Sequence, residues 1–147
     1  MPRGLGRRFW TDTRAARRYS TPVGAVLWVC LGGAVGSGGR YLIAVGAGRL
    51  GIGFPVGTLA VNLLGSFVLA ALLSAAEIGG LRPELRLFLG TGLLGGFTTY
   101  STFNLEVVRM FETGEGTRAA AYLAGTVLGA LAFGLAGAAL GRSWARG

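Results

Sequence analysis

The sequence GTGLLGGFTTYSTFNLE occupies residues 90–106 and decides how the rest of the chain can fold around it. Residues 92–103 alone hold three glycines, four serine or threonine residues and three aromatic residues. The stretch lies inside an apolar segment from about Leu85 to Met110, where the backbone must satisfy its own polar groups or line a cavity. Because glycine relaxes the backbone and threonine hydroxyls bond to freed backbone groups, Gly-Gly followed by Thr-Thr predicts a helix break. A helix broken in the middle of a membrane is typical of an ion or substrate site.

The composition of the 147-residue chain is that of an integral membrane protein with one domain. Hydrophobic residues make up 52% of it, and the mean hydropathy is +0.58. All fourteen basic residues are arginines, against six acidic residues, and they lie outside the apolar segments or at their ends. Membrane topology and anionic lipid headgroups explain this charge, so no nucleic-acid partner is predicted. With no histidine and a single cysteine, Cys30, the chain offers no disulfide, no zinc site and little basis for an enzyme.

Four apolar segments are each near the ~20 residues that a helix needs to cross a bilayer. They lie at residues 23–45, 55–76, 86–110 and 119–140. Short connections rich in turn-forming residues join them, which favours antiparallel neighbours in a compact bundle. The sequence therefore predicts an all-α integral membrane fold with four transmembrane helices, of which the third is broken. Its predicted parts are a basic N-terminal tail at 1–21, a four-helix transmembrane domain at 22–142 and a C-terminal tail at 143–147.

Polar residues inside the spans form two helical stripes. Thr58, Asn62 and Ser66 follow one another at intervals of four residues in the second span, and Tyr122 and Thr126 do so in the fourth. Each hydroxyl could bond to its own i−4 carbonyl, and the amide could join two helices, so these interpretations stay open. Two stripes beside a broken helix nevertheless suggest a shared polar path.

Most of the glycine is explained by helix packing. Helices in lipid approach one another through small residues, because the surrounding lipid is as apolar as their own side chains. Three glycine pairs at intervals of four residues are candidates for such contacts: Gly32 with Gly36, Gly125 with Gly129, and Gly137 with Gly141.

The arginines outside the tail are balanced between the two sides of the predicted bundle. The side of the termini and second connection has Arg82, Arg86, Arg142 and Arg146, and the other side has Arg40, Arg49, Arg109 and Arg118. Equal numbers give no preferred orientation under the positive-inside rule. The six arginines of residues 1–21 favour cytoplasmic termini. We therefore expect a body that could insert in either direction, with a tail that biases it.

The predicted path offers uncharged donors and no acid or base at its centre. Amide and hydroxyl hydrogens can replace part of the hydration shell of a small anion, and aromatic edges carry positive charge density. Carbonyls freed at a helix break would instead attract a cation. A proton-coupled multidrug exporter of similar size would need a carboxylate within the membrane, whereas the six acidic residues lie outside the spans or near their ends.

Three motifs follow one another along the spans: GGAVGSGGRY at residues 32–41, GTLAVNLLGSF at 57–67 and GLLGGFTTYSTF at 92–103. Together they resemble the Fluc (CrcB-type) fluoride channel family, and the resemblance covers all four spans. It implies a channel in the cell membrane that passively exports fluoride from the cytoplasm. It also implies an antiparallel, dual-topology dimer with two fluoride pores and a structural sodium ion (Na+) at the dimer interface.

The resemblance further assigns roles to individual positions of this sequence. The residues that match the fluoride pore are Asn62, Tyr100, Phe103, Ser101, Thr102, Tyr122 and Thr126. Gly95 and Thr98 match the residues whose backbone carbonyls hold the sodium ion, two from each subunit. Arg40 matches the arginine of the first span, and Glu106 matches the acidic residue that follows the aromatic pair.

Two positions depart from the family pattern. Tyr100 stands where the family usually has phenylalanine, and Ala130 stands where the fourth span often has a hydroxyl. Either change could leave one pore weak. Together with the orientation bias of the tail, they keep open a heterodimer with an oppositely oriented paralogue, in which this chain is a non-conducting or half-active subunit.

Overall fold

The structure, a computed structural model, describes residues 22–146, so the predicted basic tail at 1–21 lies outside the described residues. This part of the chain is helical and contains no strand. Three continuous helices form its frame: α1 (Pro22–Gly48), α2 (Val56–Gly79) and α6 (Gly116–Trp144). Each is long and apolar enough to cross a membrane. Helices α1 and α6 contain the predicted spans 23–45 and 119–140 and extend beyond them at both ends, whereas α2 begins one residue after the start of the predicted span 55–76 and ends three residues after it.

The third segment is a series of shorter helical pieces. It begins with α3 (Pro83–Arg86), continues as a π-helix at Leu87–Leu94 and ends its first half with α4 (Gly95–Phe97). After two non-helical residues, α5 (Tyr100–Glu112) forms the second half. The predicted break in the third helix is thus confirmed, whereas the π-helix was not predicted.

The break itself lies at Thr98 and Thr99. Both residues have extended backbone, with ψ of 155° at Thr98 and φ and ψ of −149° and 114° at Thr99. The preceding Gly95 and Gly96 keep helical geometry as part of α4. The two threonines therefore leave the helix, whereas Gly96 serves close packing, since a Cβ there would lie 2.8 Å from the Gly33 carbonyl oxygen of α1.

Helix α1 packs against the π-helix through backbone contacts. A Cβ atom on Gly32 would lie 2.2 Å from the Phe88 carbonyl oxygen, and one on Gly36 would lie 2.0 Å from the Leu93 carbonyl oxygen. The approach is equally close from the other side, since a Cβ on Gly92 would lie 2.7 Å from the Val29 carbonyl oxygen. Only glycine permits this contact, which confirms the predicted role of the first glycine pair.

Helix α6 packs against α2 in the same way. A Cβ on Gly137 or Gly141 would lie 2.1 Å from the carbonyl oxygen of Phe67 or Ala71, respectively. The prediction for the third glycine pair is therefore confirmed. In the second pair, a Cβ on Gly129 would lie 2.8 Å from Leu63 Cδ2, whereas a Cβ on Gly125 would meet no atom of another helix within 4 Å, so no contact within the described chain supports the predicted role of Gly125.

The small buried core joins α5 to α6 next to the break. Phe103, Val107, Ala119 and Tyr122 are buried together, with Phe54, Leu59 and Met110 packed around them. In contrast, large apolar side chains such as Leu42, Leu128 and Leu135 are more than 60% exposed along α1 and α6. An apolar outer surface of this kind is expected of helices in contact with lipid.

Candidate functional site at the helix break

Asn62 of α2 binds the backbone of the third segment at the break. Its Oδ1 accepts the backbone N–H of Thr99 at 2.8 Å, and its Nδ2 donates to the carbonyl oxygen of the same residue at 3.1 Å. The amide thus gives the Thr99 N–H an acceptor in place of the Gly95 carbonyl that a continuous helix would provide, and it adds a donor at the Thr99 carbonyl. Ser66, one turn later, donates to the Asn62 carbonyl at 2.7 Å, which is the local i−4 bond that the sequence left open.

Helix α1 holds the other side of the break. Arg40 Nε donates to the Gly96 carbonyl oxygen at 3.2 Å, and Ser37 Oγ donates to the same oxygen at 3.5 Å. The last turn before the break is therefore attached to α1, and the first residue after Thr98 is attached to α2. Side chains from two helices fix a backbone conformation that the third segment could not hold alone.

Thr99 also starts the helix that follows. Its Oγ1 accepts the backbone N–H of Thr102 at 3.3 Å and donates to Thr102 Oγ1 at 3.0 Å. The hydroxyl of Ser101 lies 3.4 Å from the same oxygen. This is N-capping, in which a hydroxyl satisfies an amide that has no partner in the first turn of a helix. Thr102 and Ser101 thus have local partners at the start of α5.

The break deprives two carbonyls of their usual donors. In a continuous α-helix the Gly95 carbonyl would accept the N–H of Thr99, and the Thr98 carbonyl would accept the N–H of Thr102. Here the first N–H donates to Asn62 Oδ1, and the second donates to Thr99 Oγ1. Gly95 and Thr98 are the two residues that the sequence resemblance assigns to sodium, and both carbonyl oxygens are free of these helical bonds.

A cavity of about 370 Å³ lies beside the break. It is lined by Asn62, Gly65, Ser66, Leu69, Thr98, Thr99, Tyr100, Phe103, Thr126, Val127 and Ala130. The cavity brings together four of the residues predicted for the pore, namely Asn62, Tyr100, Phe103 and Thr126. The other three predicted pore residues, Ser101, Thr102 and Tyr122, do not line it, and neither does Gly95.

The two aromatic residues of the cavity differ in exposure. Phe103 is 5% exposed and Tyr100 is 77% exposed, while their ring centroids lie 5.9 Å apart in an edge-to-face arrangement. The tyrosine ring points away from the chain's own core, and much of its surface is available to another molecule.

Thr126 supplies an unpaired polar group to the cavity wall. Its side chain is 5% exposed, and Oγ1 has no hydrogen-bond partner among residues 22–146. The Tyr122 hydroxyl, one turn earlier, lies near Thr126 but outside hydrogen-bonding geometry, and it donates its own proton to Glu106 at 2.8 Å. Burying a hydroxyl without a hydrogen-bond partner costs free energy, so Thr126 is a candidate ligand for an ion or solute in the cavity.

Glu106 joins three helices and is more enclosed than its place near the predicted end of the span suggested. Its Oε1 accepts a hydrogen bond from Thr58 of α2 at 2.8 Å, and its Oε2 accepts one from Tyr122 of α6 at 2.8 Å. Two further cavities, of about 280 and 180 Å³, both reach this carboxylate. The sequence stripes contained Thr58 and Tyr122, but nothing in their spacing showed that a carboxylate 48 residues from one of them would join them.

Replacing Tyr122 with phenylalanine should lower stability by about 1–3 kcal/mol, because it leaves one oxygen of a half-buried carboxylate without its donor. The ring would keep its edge-to-face contacts with Phe54 and Phe103, whose centroids lie 5.2 and 5.1 Å away. Denaturant unfolding in detergent measures the change. Tyr41→Phe, at a side chain that is 67% exposed, is the matched control, and an equal loss in both variants would contradict the assignment.

Apolar helices around a discontinuous segment, with freed carbonyls and a cavity at the break that carries an amide and hydroxyls, define a multi-pass membrane protein with an ion or solute site. The chain belongs to the CrcB family, described as CrcB-like protein, Camphor Resistance (CrcB), whose model matches residues 27–138. The chain is 52% identical over 124 residues to the fluoride-specific ion channel FluC of Anaeromyxobacter dehalogenans, covering 83% of this chain and 98% of that protein. The protein of the same name from Prosthecochloris aestuarii is 42% identical over 121 residues, which cover 82% and 94% of the two chains.

Proposed function

We propose that this chain is a fluoride channel of the cell membrane, through which fluoride leaves the cytoplasm passively. The observation that carries the proposal is the cavity at the helix break, lined by an amide, hydroxyls and aromatic rings. Two relatives that carry the name fluoride-specific ion channel and share about half of their residues with this chain support the choice of ion. Fluoride enters cells as the neutral acid and dissociates at neutral pH, so an open path for the anion suffices for export.

The groups around the cavity suit an anion that has lost water. No aspartate or glutamate lines it, so no fixed negative charge opposes the ion. Asn62 uses one hydrogen of Nδ2 to hold Thr99, and the second forms no hydrogen bond within the described residues. The unpaired hydroxyl of Thr126 and the ring edge of Phe103 add further positive charge density.

The proposed channel contains a sodium ion held by the backbone carbonyls of Gly95 and Thr98. The residues fit this ion, because carbonyl oxygens are hard ligands and these two have lost their helical donors to Asn62 and Thr99. When bound, the ion would neutralise the partial negative charges of carbonyls that face one another. Two oxygens are few for a sodium ion, so a second subunit would supply two more.

The proposed assembly is an antiparallel dimer of this chain. It is supported by the exposed ring of Tyr100 and the exposed Gly95, which lie close together in the sequence on either side of the break. Ser101 is also exposed there. A partner inserted in the opposite direction would cover these residues, and each subunit would contribute to two pores. The alternative is a heterodimer with an oppositely oriented paralogue.

Fluoride efflux from liposomes that contain only this purified chain is the direct test. We expect rapid efflux of fluoride and little efflux of chloride. A well-folded dimer without fluoride efflux would instead favour the heterodimer, in which this chain alone is inactive. Efflux of chloride at the same rate would overturn the proposal of a fluoride-selective channel.

Replacing Thr126 with valine should reduce fluoride efflux about tenfold, because a hydrogen bond to a charged partner contributes about 1.5 kcal/mol or more. Valine keeps the shape of the side chain, so the fold should not change. Stopped-flow or electrode measurement of efflux provides the rate. Thr117→Val, at an exposed residue in the first turn of α6, is the control and should transport normally. If fluoride efflux through the Thr126→Val protein is as fast as through the control, this hydroxyl is not part of the fluoride path.

A further inference from the structure

Arg40 places a positive charge next to the backbone at the helix break. Its side chain is half-buried, and Nε donates to the Gly96 carbonyl oxygen at 3.2 Å. Gly96 directly follows Gly95, one of the two residues whose carbonyls are freed. Arg40 forms no ion pair with a carboxylate of the described residues, in contrast to Arg118, which pairs with Glu115. Its charge is therefore not neutralised by a partner in residues 22–146.

This position has two opposite consequences for a cation at the freed carbonyls. The hydrogen bond holds the Gly96 carbonyl toward α1 and so fixes the turn that precedes Thr98. The charge repels a second cation nearby, and this repulsion is strong where little water is present. A neutral donor at this position would fix the turn without repelling the cation. An arginine therefore affects both the geometry of the freed carbonyls and their affinity for a cation.

We propose that Arg40 is a positioning residue that sets the sodium affinity of the Gly95 and Thr98 carbonyls. Its Nε–H holds the carbonyl geometry, and its charge lowers the affinity that this geometry would otherwise give. The inference rests on the proposed sodium site. It assigns a function to an interaction between α1 and the third segment that transport of fluoride through the cavity does not itself require.

Three substitutions separate the hydrogen bond from the charge. In Arg40→Gln, the side-chain nitrogen occupies the same place along the side chain as Arg Nε, so a donor remains and the charge is lost. In Arg40→Lys a methylene occupies that place, so the charge remains and this donor is lost. Arg40→Met has neither. Arg49→Gln, at an exposed arginine just beyond the end of α1, is the control for loss of one positive charge.

The measurement is the thermal unfolding midpoint of each purified protein in detergent, as sodium chloride replaces N-methylglucamine chloride at constant ionic strength. An ion that binds the folded protein raises the midpoint with a concentration dependence set by its affinity. We expect Arg40→Gln to reach half of the sodium effect at about a tenfold lower concentration than the unsubstituted protein. Arg40→Lys and Arg40→Met should need more sodium or show no sodium effect, and Arg49→Gln should resemble the unsubstituted protein.

A merely structural role would lower the midpoint of all three Arg40 variants without moving the sodium concentration that gives half of the effect. That result would overturn the proposal. An Arg40→Gln protein that fails to fold would also overturn it, because glutamine keeps the bond that is said to hold the turn. If the unsubstituted protein shows no sodium effect, both the sodium site and this inference are wrong, and efflux from liposomes then tests the fluoride path separately.

Discussion

Fluoride efflux is expected to disappear when Asn62 is replaced with aspartate. The substitution puts an oxygen in place of Nδ2, which now donates to the Thr99 carbonyl at 3.1 Å, so attraction becomes repulsion at the break. It also puts a fixed negative charge on the wall of the cavity. Two unit charges about 4 Å apart interact by roughly 4 kcal/mol at an effective dielectric constant of 20, which corresponds to about a thousandfold in rate.

Two further variants identify the cause of the loss. Asn104→Asp introduces the same charge at an exposed residue of α5 and should leave efflux close to normal. Asn62→Ala removes both bonds to Thr99 without adding charge, so it shows how much of the loss comes from the break alone. Efflux is measured with a fluoride electrode on liposomes, after gel filtration has shown that the protein is folded. Normal efflux through a folded Asn62→Asp protein would place the fluoride path elsewhere.

The second large effect is expected from Gly36→Ala, which adds a single carbon atom. This Cβ would lie 2.0 Å from the Leu93 carbonyl oxygen and 2.9 Å from the Phe97 backbone nitrogen. Both are backbone atoms, so no side-chain rotation relieves the overlap and α1 must move away from the π-helix. We expect a loss of about 3 kcal/mol or more, which is a large part of the stability of an ordinary domain.

The matched control lies on the same helix. A Cβ on Gly46 meets no atom of the described chain within 4 Å, and alanine favours helix by about 1 kcal/mol over glycine. Gly46→Ala should therefore be as stable as the unsubstituted protein or slightly more stable. Denaturant unfolding and the yield of monodisperse protein compare the two variants. Equal stability of Gly36→Ala and Gly46→Ala would mean that α1 and the π-helix are farther apart than the structure shows.

The residues at the break show how much of the backbone structure could be predicted from neighbouring residues in the sequence. Gly-Gly followed by Thr-Thr predicted an interruption, and the interruption is there, because these residues weaken the helix and can cap its ends. Its position at Thr98 and Thr99 depended on a side chain 37 residues earlier in the sequence, that of Asn62. Gly95 and Gly96 remain helical, and of the two only Gly96 lies against α1, where a Cβ would come within 2.8 Å of the Gly33 carbonyl oxygen.

The π-helix at Leu87–Leu94 has a similar explanation. Its sequence, LFLGTGLL, is apolar on almost every side, so it carries no hydrophobic periodicity that could separate an α-helix from a π-helix. Glu106 is another example, since its sequence position near the end of a span suggested a peripheral carboxylate. Its hydrogen bonds to α2 and α6 arise from the arrangement of three helices, which spacing within one helix does not specify.

The sequence by itself determined that the chain is a helical membrane protein, where its apolar segments lie, that the third is interrupted, and which family it resembles. These properties follow from hydrophobicity, glycine spacing and motifs, each of which acts over a few neighbouring residues. The tertiary structure decided which carbonyls lose their donors, which hydroxyl remains unpaired and which arginine holds the break. Those outcomes depend on hydrogen bonds between residues far apart in the chain, and such bonds form only where helix packing brings the two partners within about 3 Å.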